Sequence, residues 1–235
     1  MEDLDVGQLA TYLRMNPDKV VKMATRGRLP GRRVGGQWRF SEAEIHHWLE
    51  ERIGQSGSDE LQQYARVVDR PAGRDAVSSP HIAELCPVSR IQCPLVSRTR
   101  GSVIRAMCET ATQGGMMWDA VAMATAVENR EAMHPTALDC GVALLHPRRP
   151  QTSILAESVL ALGICPAPIP FSPDGQLVDV FFLICSYDDP FHLRILARLS
   201  RLITATELLS QLRASEDPAT AHAAIVAAEA ELPHA

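Results

Sequence analysis

The first apolar residues of the chain recur with the spacing of a helix. Positions i, i+3, i+4 and i+7 are occupied by Val6, Leu9, Ala10 and Leu13, which predicts a short first helix. The pair at residues 16–17 predicts the start of a second helix. Asn16 can cap the free backbone N–H groups there, and Pro17 fits the first helical position.

Two short extended stretches follow, at residues 32–34 and 37–40. Gly35 and Gly36 join them, and glycine accepts the positive φ that a two-residue hairpin requires, so a hairpin is predicted. Ser41 and Glu44 then have the spacing of a capping box, and helical spacing continues to Ile53. We therefore expect a small, mainly α-helical domain over residues 1–54.

Further along the chain, helical and extended patterns alternate. Extended segments are expected at 91–95, 141–145, 159–164 and 178–185, and helices at 102–112, 118–131 and 191–203, followed by a helical tail from Thr206 with a break near Asp217. This alternation predicts an α/β layered domain over residues 85–235, with a mixed sheet flanked by helices.

Residues 55–84 are expected to link the two domains. Small and polar residues are frequent at both ends of this segment, as in flexible tethers. Between the ends, an apolar stripe at helical spacing consists of Leu61, Tyr64, Ala65 and Val68. A short helix here could dock on either domain or on a second copy, which would give a homodimer.

Charge is distributed unevenly along the chain. The formal net charge is −5, yet residues 14–39 hold eight basic residues and one acidic residue, which gives +7. A positive block in an acidic chain suggests an anionic partner. No apolar run is long enough for a membrane span, and the N-terminus does not resemble a signal peptide, so a cytoplasmic protein with no membrane insertion is expected. The six cysteines lack a C-x-x-C pair, so neither disulfides nor a metal site is predicted.

The order of helix, basic helix, basic hairpin and helix in the first 54 residues resembles the excisionase and MerR-like family of winged helix-turn-helix domains. The resemblance rests on residues 6–13, 16–17, 27–30 and 33–40. It implies binding to double-stranded DNA, with the second helix in the major groove and the hairpin as a wing along the backbone. The expected DNA-binding residues are Lys19, Lys22, Arg26, Arg32, Arg33 and Arg39. A solvated basic face or a protein-binding role is the alternative.

Two histidines stand out in the second half of the chain. His146 follows the predicted strand 141–145, where side chains at a sheet edge often face a cleft. His192 opens the helix 191–203, where free N–H groups favour a nearby anion. The chain contains no phosphate-binding glycine motif and no serine-hydrolase elbow, so nucleotide-binding and serine-hydrolase functions have no support.

These histidines lie in segments that resemble the enzyme IIA domain of the fructose/mannitol type, which includes nitrogen-regulatory relatives, from the sugar phosphotransferase system. The matching segments are 129–136, 141–146, 178–183 and 188–193. The resemblance implies that His146 is phosphorylated, that His192 lies beside it, and that Arg130 supports the phosphoryl group. It implies an HPr-like phosphocarrier as donor and requires neither a metal nor another cofactor.

Together the two resemblances predict a DNA-binding regulatory protein that senses phosphoryl state through His146, with regulatory proteins as further partners. One alternative is a phosphotransferase that carries phosphoryl groups to a sugar transporter. Another is a domain that has lost this chemistry and serves as a protein-binding platform. The second alternative rests on Leu145 and Pro147, which stand where the family usually has proline and glycine.

Overall fold

The structure is a computed structural model, and it describes residues 3–13, 15–41, 44–45, 48, 80–133 and 135–232. The predicted linker helix, most of the segment 55–84 and the end of the predicted third helix lie outside these residues.

In the N-terminal module, defined here as the described residues from 3 to 48, bounds are given for two helices and three strands. The elements are β1 (Asp3–Leu4), α1 (Val6–Tyr12), α2 (Pro17–Thr25), β2 (Arg32–Val34) and β3 (Gln37–Ser41). The side chain of Asn16 accepts a hydrogen bond from the N–H of Asp18, so the predicted cap is present at the start of α2. The strands form an antiparallel sheet in the order β1-β3-β2.

The predicted hairpin is present, and Gly35 and Gly36 have φ values of 59° and 81° at its turn. Strand β1 was not predicted, because two residues carry no periodicity. It pairs Asp3 with Ser41 across the module. Glu44, Ile45 and Trp48 are helical, in agreement with the start of the predicted third helix.

The second half of the chain forms a four-stranded mixed sheet in the order β4-β6-β7-β5. These strands are β4 (Ile91–Gln92), β5 (Val142–Leu145), β6 (Val159–Pro170) and β7 (Leu177–Cys185). β4 is parallel to β6, β5 is parallel to β7, and the central pair β6 and β7 is antiparallel. The mixed sheet that the alternating pattern predicts is therefore confirmed.

Helices cover both faces of this sheet. They are α3 (Ile82–Leu85), α4 (Arg100–Ala111), α5 (Ala120–Met133), α6 (Asp189–Ala205), α7 (Leu208–Arg213) and α8 (Pro218–Glu231), and a single turn of 3₁₀-helix spans Val88–Arg90. Alternate strand residues point to opposite layers. Leu144 and Phe182 pack with α6 and α8, whereas Ala143 and Phe181 pack with α4 and α5.

Most bounds lie within two residues of the sequence predictions, and the larger differences are in β4, at the start of the α/β core and in β6. β4 ends at Gln92 rather than residue 95, and the core of the α/β domain already includes Ile82, which precedes the expected boundary. β6 continues beyond Ile164 to Pro170, with an irregularity between Ile164 and Ile169. Prolines at 166 and 168 fall within that irregularity, where β7 does not need their missing N–H groups.

Helix α6 begins at the site described below and also contacts the N-terminal module. Leu193, in its first turns, belongs to the same cluster of buried side chains as Leu9, Leu13, Phe40 and Trp48. It belongs to neither of the two clusters that form the core of the α/β domain. The module thus packs against the α/β domain at the start of α6.

Candidate functional site

His146 lies directly after β5, at the end of a strand whose four residues are all buried. Its ring nitrogen Nδ1 is 2.8 Å from the carbonyl oxygen of Leu144. A carbonyl oxygen can only accept, so Nδ1 carries the hydrogen of this bond. In a neutral imidazole the other nitrogen, Nε2, then has the lone pair.

His192 lies in the first turn of α6. Asp188 caps this helix by accepting a hydrogen bond of 2.7 Å from the N–H of Phe191, and proline follows at the start of the helix. The Nδ1 atom of His192 is 3.1 Å from the hydroxyl oxygen of Ser186, at the end of β7. The position of the second ring is therefore set by both a strand end and a helix start.

The two histidine rings lie side by side. Their centroids are 4.9 Å apart with an angle of 53° between the planes. His146 is 3% exposed and His192 is 5% exposed. A cavity of about 10 Å³ borders His192 and is lined by Pro147, Arg148, Arg149, Pro150, Ser186 and Asp189. The cavity beside His192 is therefore about the size of one water molecule.

Arg130 and Glu131 are buried in the last turn of α5. The Glu131 carboxylate accepts hydrogen bonds from the hydroxyl group of Thr136 and from its N–H, the latter at 3.2 Å. Burial raises the pKa of Glu131, while the bonds from Thr136 and the charges of His146 and Arg130 act against this shift. Glu131, Arg130 and His146 thus share one electrostatic neighbourhood.

The loop between α5 and β5 is tied to the strand that carries His146. The carbonyl of Thr136 accepts a 3.3 Å hydrogen bond from the N–H of Leu144. On the far side, Arg213 donates to the carbonyl of Cys140 at 2.7 Å and forms an ion pair with Asp179 at 2.7 Å. Gly141 has a φ of 83°, and a Cβ there would lie 2.7 Å from the Arg213 side chain. The loop is therefore held at both ends.

The basic residues of the N-terminal module lie on its surface. Lys19, Lys22 and Arg26 are exposed on α2 and at its end, while Val20 and Ala24 face the core. On the hairpin, Arg32 and Arg33 are exposed and Arg39 is half-buried. Arg32 forms an ion pair with Asp3 at 2.7 Å, and the Arg33 guanidinium lies 5.2 Å from the centre of the Trp38 ring.

Comparison with known families agrees with this division of the chain. Residues 4–53 match the family model of a helix-turn-helix domain. Residues 84–227, more than half of the chain, match the family model "Phosphoenolpyruvate-dependent sugar phosphotransferase system, EIIA 2". The chain belongs to the EIIA 2 family.

Two curated proteins are similar to parts of the chain. The fructose-specific EIIABC component of Bacillus subtilis (strain 168) is 28% identical over 138 residues, which are 57% of this chain and 21% of that protein. A nitrogen regulatory protein of Bradyrhizobium diazoefficiens is 36% identical over 91 residues, which are 37% of this chain and 58% of that protein. The chain thus spans only part of the length of both relatives.

Solved structures of EIIA domains share the fold. The nitrogen regulatory protein IIA-Ntr from Neisseria meningitidis aligns with a TM-score of 0.54 at 18% identity, over 61% of this chain and 98% of that chain. The mannitol IIA of Escherichia coli aligns with a TM-score of 0.53 at 15% identity, over 59% and 97%. At these identities the likeness shows the fold alone.

Within the EIIA 2 domain, His146 and His192 are in contact, and the charges of Arg130 and His146 both act on the carboxylate of Glu131. Sequence reasoning missed Glu131 and Arg213. Both are ordinary charged residues in sequence, and only their tertiary partners give them a role.

Among the described residues there is no cluster of His, Cys, Asp or Glu that could hold a metal ion, and none of the described helices is long and apolar enough to cross a membrane.

Proposed function

We propose that the chain is a DNA-binding regulatory protein of the cytoplasm whose EIIA 2 domain is phosphorylated on His146. The observation that carries this proposal is the pair of histidine rings 4.9 Å apart, one at the end of β5 and the other at the start of α6. The EIIA 2 family match and the similarity to a nitrogen regulatory protein support the regulatory role.

The hydrogen bond between His146 Nδ1 and the Leu144 carbonyl leaves the lone pair on Nε2, which supports Nε2 as the nucleophile. In the proposed step the Nε2 lone pair forms a bond to the phosphorus of a phosphohistidine on an HPr-like donor. The bond between that phosphorus and the donor nitrogen breaks, and its electron pair returns to the donor ring. The strand carbonyl stabilises the Nδ1 proton of His146 throughout.

His192 and Arg130 would stabilise the transferred group. The phosphoryl group brings nearly two negative charges, and an imidazole N–H and a guanidinium are strong donors to such oxygens. Ser186 fixes the His192 ring through Nδ1, which directs Nε2 of that ring as the donor toward the phosphoryl oxygens. Arg130 supplies the positive charge from α5.

Binding to DNA is proposed for the helix-turn-helix domain. The exposed basic residues on α2 would enter the major groove, and the β2–β3 hairpin would lie as a wing along the phosphate backbone. Arg33 is the strongest candidate on the wing, because its guanidinium is held over Trp38, whereas the guanidinium of Arg32 is paired with Asp3. A homodimer with two half-sites is compatible with this arrangement.

One observation favours the platform alternative. Pro147 follows His146 directly, is buried, and has no N–H to donate to a phosphoryl oxygen. If phosphorylation does not occur, the domain would act by binding regulatory proteins. The phosphoryl carrier of a sugar transporter is the third reading, and it predicts transfer from the labelled chain to an enzyme IIB.

The test is to incubate the full chain with phosphoenolpyruvate, enzyme I and HPr and to locate phosphohistidine by mass spectrometry under alkaline conditions. The expected result is label on His146. Affinity for duplex DNA is then measured with and without the label, at several salt concentrations. Label with a change in DNA affinity supports the proposal. An unlabelled chain that binds regulatory proteins supports the platform, and onward transfer to IIB supports the carrier.

A further inference from the structure

The contact between the N-terminal module and α6 lies next to the histidine site. Leu193 is 1% exposed, and its buried neighbours belong to the module rather than to either core of the α/β domain. His192, the preceding residue, is in contact with His146. The side chains that face the module and the site therefore share one turn of one helix.

The Nε2 atoms of His146 and His192 are buried from solvent in this arrangement. The cavity beside His192 is small, about 10 Å³, whereas a phosphoryl group adds four heavy atoms. Both rings are almost fully covered, at 3% and 5% exposure. A donor protein can reach His146 only when the first turn of α6, or the segment 147–150 against it, moves.

Charge adds to this requirement. Asp188 caps α6, and Asp189 lines the cavity together with Arg148 and Arg149, so carboxylates and guanidinium groups both lie near the helix end that the phosphoryl group must approach. Like charges repel most strongly where water is excluded, although the positive end of the helix dipole attracts the phosphoryl group. Both effects would act on the turn of α6 that carries His192 and Leu193.

On this basis, and resting on the proposed function, we propose that packing of the N-terminal module against Leu193 holds the histidine site closed, and that phosphorylation of His146 loosens this packing. The basic face of α2 stays exposed in the packed state, so packing does not cover the expected DNA surface. The phosphorylation state would thus set whether the DNA-binding module is held against the EIIA 2 domain or is free to move.

The test compares the full-length wild type with Leu193→Asp. A buried carboxylate is costly, so this variant should release the module, and the radius of gyration from small-angle scattering should increase. The α/β domain should keep its circular dichroism and melting temperature, because Leu193 lies outside both of its cores. Val226→Asp adds the same charge at an exposed site on α8 and is the matched control.

Access to the site is measured with diethyl pyrocarbonate, which modifies imidazole nitrogens, followed by mass spectrometry. If the packing holds the site closed, His146 and His192 react about 5- to 150-fold faster in Leu193→Asp, the range typical of coupled sites. His222, which is half-buried and lies beside the Ala83 carbonyl, should keep its rate and serve as the internal reference. Labelling by the phosphocarrier should accelerate in parallel.

Equal histidine reactivity in Leu193→Asp and wild type would overturn the inference, as would an unchanged radius of gyration. If the wild type takes no label from any donor while histidine reactivity still rises in the variant, the proposed phosphorylation fails and the closure by the module stands. Should Leu193→Asp fail to fold, Leu193→Ala provides the same comparison with a smaller expected change.

Discussion

The two halves of the molecule use charged and titratable side chains in opposite ways. On the N-terminal module, Lys19, Lys22 and Arg26 are exposed on one helix face. At the histidine site, His146 and His192 are nearly excluded from solvent and held by hydrogen bonds. Exposed charge suits binding to a polyanion, whose contacts need little precision. Buried groups with fixed hydrogen bonds suit chemistry on one atom.

The largest expected effect is at His146. If the buried site performs chemistry on one atom, the His146 imidazole is indispensable for phosphoryl transfer. His146→Ala should take no phosphoryl label, because the nucleophile is gone. His192→Ala should still be labelled, but about 10²- to 10³-fold more slowly, which is the usual cost of removing one donor to a developing charge. Quench-flow with phosphohistidine detection measures both rates. Equal labelling of the two variants would rule out the assignment of roles.

How far these residues could be predicted depends on how local their signals are. The start of α2 was predicted because Asn16 and Pro17 act within one turn. Strand β1 was missed because its partner Ser41 lies 38 positions away. His146 and His192 were found through a family resemblance, while Glu131 was missed because its importance depends on Thr136 and on the strand that follows. Local chemistry can be read from the sequence, but the second layer around the site cannot.

The next largest effect is on DNA binding by the exposed basic face of α2. Arg26→Glu should abolish sequence-specific binding to duplex DNA, because it reverses a charge at the end of α2, which we expect in the major groove. The variant should fold normally, since Arg26 is exposed. Arg98→Glu makes the same change in charge at an exposed position of the EIIA 2 domain and should leave binding intact. Fluorescence anisotropy measures affinity, and circular dichroism checks the fold. Equal losses in both variants would show that only net charge matters.

A smaller effect distinguishes two neighbouring arginines on the hairpin. Asp3 forms an ion pair with Arg32 but not with Arg33, whose guanidinium lies over Trp38. We therefore expect Arg33→Ala to reduce the slope of log affinity against log salt by about 1, as for one lost phosphate contact. Arg32→Ala should reduce it less, because Asp3 already neutralises that charge. A larger reduction for Arg32→Ala would show that the ion pair opens on DNA.

The smallest expected effect is on the free energy of unfolding. It tests whether burial of the Glu131 carboxylate outweighs its hydrogen bonds from Thr136. Burial raises the pKa of Glu131 in the folded chain above its ordinary value of 4.5. Between the two pKa values the folded state retains a proton that the unfolded state has released, so the free energy of unfolding falls as pH rises.

Glu131→Gln removes this titration. Its stability relative to wild type should therefore increase with pH from below 4.5 through the raised pKa, as measured by urea denaturation. Glu109→Gln, at an exposed position on α4, is the matched control for replacing a carboxylate by an amide. The opposite slope in Glu131→Gln would mean that the hydrogen bonds from Thr136 outweigh burial, and that this carboxylate is held ionised beside His146.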